Sequence, residues 1–341
     1  VRIWGLFHPL VAYLAALSFI IVLGYGGVLV LDGSITIGDF VAFNSYLGML
    51  TWPVMAIGWV MNMIQRGKAS MDRLEDIFNQ RSEIVDPQEA ATYTLQGTIE
   101  LSNLTFAYPG TKTPVLKGIS AEIPAGQVVG ILGRTGSGKT TLLNLLVRLY
   151  NVEPGMIKFD GVNIDQIPLQ VLRENIGYVP QDSFLFSTTI RENIDFADTG
   201  SDLATVMEYA KVAQVYDNIV EFPEQFDTVI GERGVTLSGG QKQRLAIARA
   251  LIKEPQILIM DDSLSAVDTE TEEAILQNLR RIFPGRTVII VSHRISTLQG
   301  ANQILVLENG EISQRGTHDK LVEEEGLYRE LYNKQLLEEQ I

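Results

Sequence analysis

The chain has 341 residues, enough for about two domains at roughly 150 residues each, and no Cys, which excludes disulfides and thiolate metal sites. Its 3 His leave little room for a His-rich metal centre. A net charge of −14 argues against a broad nucleic-acid surface, which needs clustered Lys and Arg, so no nucleic-acid partner is expected.

The charge is unevenly spread. Ile3 to Leu31 contains no Asp, Glu, Lys or Arg, and neither does Phe40 to Ile64. A helix rising about 1.5 Å per residue needs roughly 20 apolar residues to cross a bilayer, and both stretches suffice. Two spans are therefore expected, at about 9–31 and 40–64, within a membrane segment 1–65. Arg2 precedes the first, and Arg66, Lys68 and Arg73 follow the second. The connecting loop carries only Asp32 and Asp39. Positive flanks stay inside, so the loop faces outward and everything after residue 65 is cytoplasmic. Pro53 is expected to kink the second span. The first span is not expected to be a signal peptide, because it lacks a small-residue cleavage site and a second span follows. Two helices cannot enclose a transport path, which points to a fragment whose earlier spans are absent.

Residues 66–97 read as a cytoplasmic extension and linker. "QRGKASMDRLEDIFNQ" (65–80) keeps a helical period, with Met71, Leu74, Ile77 and Phe78 on one face, and continues the second span. "RSEIVDPQEAATYTLQG" (81–97) is polar and interrupted by Pro87. From about Gly97 the pattern changes. "TIELSNLTFAY" (98–108) alternates apolar and polar, as a strand of a half-buried sheet does. "VVGIL" (128–132), "ILIM" (257–260) and "TVIIVS" (287–292) are apolar on both faces. Such runs suit a central parallel sheet covered by helices, with function at the strands' carboxyl ends.

"GRTGSGKT" (133–140) follows one of these strands and precedes the helical "TTLLNLLVRLY". It fits the phosphate-cradling pattern G-x-x-x-x-G-K-[ST] in its required strand–loop–helix setting. Glycines let successive backbone N–H groups converge, and the helix start adds partial positive charge. Gly133, Arg134, Thr135, Gly136, Ser137, Gly138, Lys139, Thr140 and Thr141 are the expected ATP-binding residues. Lys139 should reach the β- and γ-phosphates, and Thr140 should bind Mg²⁺.

"LSGGQ" (237–241) opens another helical run, "KQRLAIARAL". Ser238 is a natural N-cap, and the two glycines bare a second helix N-terminus as an anion site. The first cradle has already taken the phosphates, so this one suggests an anion supplied by another molecule.

With "GRTGSGKT", "LSGGQ" resembles the nucleotide-binding domain of ATP-binding cassette (ABC) transporters, from about Leu95 to the C-terminus. The resemblance implies a P-loop NTPase α/β domain, here 98–341. It is preceded by all-α transmembrane helices that look like the last two of an exporter's six. Tyr108 stands where the family stacks an aromatic on adenine. Gln181 in "YVPQDSFLF" matches the glutamine that touches Mg²⁺ and the transmembrane domain. Ser265 and Asp268 in "SAVD" match the D-loop at the dimer interface. His293 matches the switch histidine near the γ-phosphate, and Leu237, Ser238, Gly239, Gly240 and Gln241 match the signature that meets a partner's ATP. "TVIGERG" (228–234) resembles the X-loop of exporters, although an acid is more usual where Val229 stands.

"ILIMDD" carries the remaining carboxylates. The resemblance implies that Asp261 holds Mg²⁺ through water and that the next residue orients the attacking water. The family normally has Glu there, and this chain has Asp262. Asp is one methylene shorter, which sets its carboxylate back by about 1 Å or more, and that displacement can cost roughly 100-fold in rate. MgATP binding should survive while hydrolysis slows.

The expected protein is a multi-pass cell-membrane exporter half, using ATP and Mg²⁺ to move a small-molecule or lipid substrate and contacting membrane lipid. Its partner is a second half-transporter. A heterodimer, in which this LSGGQ completes the partner's site, is favoured over a homodimer that uses Asp262 as base. A mainly regulatory ATP-binding subunit is the competing reading. A soluble cassette ATPase of DNA repair or translation fits poorly with the spans and the −14 charge.

Overall fold

A computed structural model describes residues 2–87, 93–197, 200–231, 236–282 and 284–339. The chain divides into two compact units, Val1–Ser82 and Glu83–Ile341.

The first unit is a helical hairpin of α1 (Arg2–Leu31) and α2 (Ile37–Phe78). Both are uncharged over long stretches, and Pro9–Leu31 has mean hydropathy 2.4 against 1.4 for α2. Each is long and apolar enough to cross a bilayer. The turn between them uses Gly33 at φ +70, and Thr36 then caps α2. The Thr36 hydroxyl accepts from the Asp39 N–H at 3.1 Å, and the Asp39 carboxylate accepts from the Thr36 N–H at 3.0 Å. That reciprocal pair satisfies donors a helix start leaves open. Gly26 lets α1 approach Phe40 of α2, whose ring a Cβ at this position would strike. Pro53 lies inside α2, and the helix runs on past it to Phe78.

The second unit contains two sheets. The larger has strand order β10-β9-β3-β8-β7-β6. Its members are β3 (Val128–Gly133), β6 (Ile176–Val179), β7 (Ile257–Asp261), β8 (Thr287–Val291), β9 (Gln303–Glu308) and β10 (Glu311–Gly316). All pair in parallel except β10, an antiparallel edge on β9. The three runs apolar on both faces are β3, β8 and β7, side by side. Their alternate residues feed two cores. Leu132, Met260 and Ile290 face one, packed with Val206, Leu245, Ile247 and Ile275 from helices. Ile131, Ile259 and Ile289 face the other, packed with Leu142 and Leu145 of the helix Lys139–Leu146. Burial on both faces is why these strands lack polar alternation.

The second core is closed by the smaller, antiparallel sheet, β2-β1-β4-β5. It comprises β1 (Ile99–Phe106), β2 (Leu116–Ile123), β4 (Ile157–Phe159) and β5 (Val162–Asn163). The alternation of β1 slips between Leu101 and Leu104, where Asn103 adopts φ +48 and makes a bulge. Gly97, Gly126 and β8 are tied by one buried hydroxyl: Thr287 donates to the Gly97 carbonyl at 2.8 Å and accepts from the Gly126 N–H at 3.1 Å.

Candidate active site: a phosphate cradle at the strand ends

The carboxyl ends of β3, β7 and β8 meet at one cleft. Thr135, Gly136, Gly138, Lys139, Thr140 and Thr141 line one wall. Gln181, Asp261, Asp262 and His293 line the other, with Val115 and Val291 completing it. Residues of the two walls, 40 to 158 positions apart in sequence, are gathered because parallel strands deliver their C-terminal ends to one edge.

The loop after β3 turns on two left-handed glycines, Gly136 at φ +82 and Gly138 at φ +102. Gly138 begins the helix Lys139–Leu146, and a Cβ there would meet Leu116 at 2.6 Å. A side chain at Gly133 would collide with the Leu307 carbonyl. The helix Lys139–Leu146 thus starts at the cleft wall, and a helix start carries the partial positive charge that attracts an anion. Lys139 is buried, and its ammonium donates to the carbonyls of Gly133 at 2.8 Å and Arg134 at 3.0 Å. Burial pushes its pKa down, while Asp261 and Asp262 oppose that shift.

Asp261 ends β7 and is 2% exposed. Burial raises its carboxyl above the usual range, against hydrogen bonding from Thr140. The same desolvation, with Asp261 behind it, pushes the Tyr178 hydroxyl up to about 12. Asp261 Oδ2 is buried without a hydrogen-bond partner. An orphaned carboxylate oxygen near a threonine hydroxyl and a glutamine amide is a hard oxygen donor set, which fits Mg²⁺. Among the described residues no cluster of three or more His, Asp or Glu could cage a metal alone. The ion would thus share its coordination with phosphate oxygens and water.

Asp262 leaves β7 at φ +45, a left-handed backbone that Asp tolerates better than most residues. Its N–H donates to the Val291 carbonyl at 2.9 Å, and its own carbonyl accepts from the Ser265 hydroxyl at 2.9 Å. The Asp262 side chain is half-buried and His293 is exposed.

Tyr108 stands beside the cleft. Its hydroxyl shares a hydrogen bond with that of Thr141 at 2.9 Å, and its ring meets Phe106 and Tyr150 edge-on at 5.2 Å each. Arg134 points outward to Glu330 at 2.9 Å.

None of residues 237–241 lines the cleft. They start the helix Gly239–Leu251, with the Ser238 hydroxyl accepting from the Gln241 N–H and the Gln241 amide oxygen accepting from the Ser238 N–H. Instead this helix start packs on residues 265–268. Gln243 donates to the Ser265 hydroxyl at 3.2 Å and accepts from the Ala266 N–H at 3.0 Å. Asp268 caps the next helix, Thr269–Ile282, accepting from the Thr271 N–H at 2.9 Å. Gln243 was not singled out from the sequence, where it is one polar residue of a polar helix start. In the segment resembling an X-loop, Val229 bridges Thr189, and Glu232, Arg233 and Gly234 lie outside the described residues.

Residues 116–265 match the family described as ABC transporter. The match begins at the first residue of β2 and ends at Ser265, so it takes in residues 133–141 and 237–241, Asp261 and Asp262. The chain belongs to the ABC transporter family. It is 46% identical over 333 residues to a probable multidrug resistance ABC transporter ATP-binding/permease protein, YheI, of Bacillus subtilis, covering 98% of this chain and 57% of that one. It is 41% identical over 342 residues to an ATP-dependent lipid A-core flippase of Syntrophus aciditrophicus, covering 100% and 57%. A solved structure of a bacterial Atm1-family ABC exporter with ATP bound superposes with TM-score 0.79 at 37% identity, covering 97% of this chain and 59% of that one. The chain therefore spans a little over half the length of these two curated relatives. As an ABC cassette it binds nucleotide, and the two apolar helices of the first unit precede that cassette.

Proposed function

We propose that this chain is part of one half of an ATP-driven membrane exporter that hydrolyses ATP slowly in its own cleft and lends its signature helix to a partner's site. The observation that carries the reading is the division of the chemistry. The cleft holds the cradle and carboxylates, whereas Leu237–Gln241 lie outside it on a bared helix start. A nucleotide in this cleft would then be completed by another chain's signature. Relatives named for multidrug resistance and as a lipid A-core flippase support a hydrophobic or amphipathic substrate.

In this reading the loop amides bind the triphosphate, and Lys139 trades the Gly133 and Arg134 carbonyls for β- and γ-phosphate oxygens. Thr140, Gln181 and Asp261 would hold Mg²⁺, which when bound neutralises charge on those oxygens. Asp262 orients the attacking water and accepts its proton, His293 meets the γ-phosphate, and Tyr108 faces the base. Asp262 is one methylene shorter than the Glu it replaces, so water is held less well and turnover falls. A partner carrying Glu at the equivalent position makes a heterodimer the favoured assembly. In each cassette the D-loop residues Ser265 and Asp268 would lie at the junction.

Purification of the full-length complex, identification of its chains and photolabelling with azido-ATP test this. Two different chains are expected, with γ-labelled nucleotide persisting on this one. A single species that turns over ATP briskly would overturn the heterodimer and the slow site together.

A further inference from the structure

The loop that carries His293 is held by the far end of the chain. Arg294 has an extended backbone (φ −91, ψ 125) and starts the short helix Ile295–Leu298 with no side-chain cap of its own. The first N–H groups of a helix have no partner within it. Here the Ile295 N–H donates to Gln335 Oε1 at 2.9 Å, and Gln335 Nε2 donates to the His293 carbonyl at 2.7 Å. One amide thus brackets Arg294 on both sides, as a neighbouring strand would. Gln335 is half-buried and belongs to the C-terminal helix Leu327–Glu339.

Three further hydrogen bonds fix the same loop. The Arg294 N–H donates to the Ser292 hydroxyl at 3.0 Å, and the Arg294 guanidinium donates to the carbonyls of Val267 at 3.0 Å and Ser265 at 3.1 Å. The C-terminal helix also meets the phosphate loop, through Glu330 and Arg134. That exposed pair contributes little energy. Through Glu330 at Arg134 and Gln335 at His293, the one helix touches both loops.

We propose that Gln335 is a positioning residue for His293. By holding the His293 carbonyl and the Ile295 N–H together, it sets how far the imidazole projects toward the terminal phosphate. The C-terminal helix is thereby part of the hydrolytic apparatus of this cleft. The inference rests on His293 acting at the γ-phosphate.

The test uses the full-length complex with its partner and azido-ATP labelled at the α- or γ-phosphate, because label on this chain reports its own cleft. Gln335→Met keeps the length and removes both hydrogen bonds. It should slow loss of γ-label from this chain about tenfold, on the scale that small displacements of a reacting group cost. Occupancy by α-label should stay within about twofold of the unaltered protein, given intact cradle residues. Gln335→Glu, which still accepts from Ile295 but no longer donates to His293, should fall between. In a His293→Ala background, Gln335→Met should add no further loss. Hydrogen exchange at the Ile295 amide should quicken in Gln335→Met, a readout independent of activity.

Unaltered γ-label loss in Gln335→Met, beside a slow His293→Ala, would overturn the positioning role. So would unchanged Ile295 exchange, or equal losses of occupancy and hydrolysis. A His293→Ala protein that hydrolyses normally would instead sink the reading of His293 itself, and this proposal with it.

Discussion

Asp262 hangs its backbone N–H on the Val291 carbonyl, 2.9 Å away, so the last residue of β8 fixes where the candidate base begins. The Ser265 hydroxyl holds the Asp262 carbonyl from the other side at 2.9 Å. With the backbone pinned at both ends, side-chain length decides how far the carboxylate reaches into the cleft.

Asp262→Glu is therefore expected to accelerate hydrolysis on this chain. A displacement of about 1 Å can cost roughly 100-fold, which bounds the gain. The left-handed backbone at φ +45 suits Asp better than Glu, so a small loss of stability should accompany it. Loss of γ-label from photolabelled chain measures the effect. An unchanged rate would mean that carboxylate reach does not limit this site.

Gly240→Ala separates the two roles of the chain. A Cβ at Gly240 would lie 2.8 Å from the Ala266 carbonyl, a backbone atom that cannot swing aside. Within a helix, Ala is otherwise favoured over Gly by roughly 0.5–1 kcal/mol, which offsets part of that clash, so a modest loss of stability is expected. The strain falls on the contact between the start of the helix Gly239–Leu251 and Ala266. ATP turnover of the assembled complex should drop by about tenfold or more, while α-label occupancy of this chain stays unchanged. Equal loss of both would contradict the division of the site between chains.

The parts of the fold and site legible in the sequence share one physical property. β3, β7 and β8 are buried on both faces, so their apolar runs stand out, and they lie side by side as one sheet. The phosphate loop is legible because left-handed turns at Gly136 and Gly138 demand glycine in a fixed spacing. β4 and β5, of 3 and 2 residues, are too short to carry a period. Gln335 and Gln243 act by reaching backbone groups 42 and 23 residues away, and neither leaves a local pattern. Polar residues on helix surfaces look alike until the fold gives some of them a partner.

Thr287→Val tests the clamp at the opposite end of the sheet. The Thr287 hydroxyl is fully buried and serves both the Gly97 carbonyl and the Gly126 N–H. Valine keeps the shape and leaves two backbone groups without that partner, at a cost of about 1–3 kcal/mol. A lower thermal midpoint is expected with ATP affinity unchanged, because Thr287 begins β8 and the cleft lies at its other end. Undiminished stability would show that these groups find other partners.

Asp268 gives the D-loop an acid-sensitive cap. Its carboxyl is held below the usual range, chiefly by the backbone hydrogen bond from Thr271, with the Thr271 side chain adding to it. A carboxylate whose pKa is lower in the folded protein stabilises fully above the unfolded value of about 3.9, and that contribution disappears as pH falls through the folded value. Asn accepts the same capping bond without titrating. Asp268→Asn should therefore flatten the fall in thermal midpoint below about pH 4, leaving neutral-pH stability close to the original. Identical acid profiles for the two proteins would remove Asp268 from the groups that govern the response.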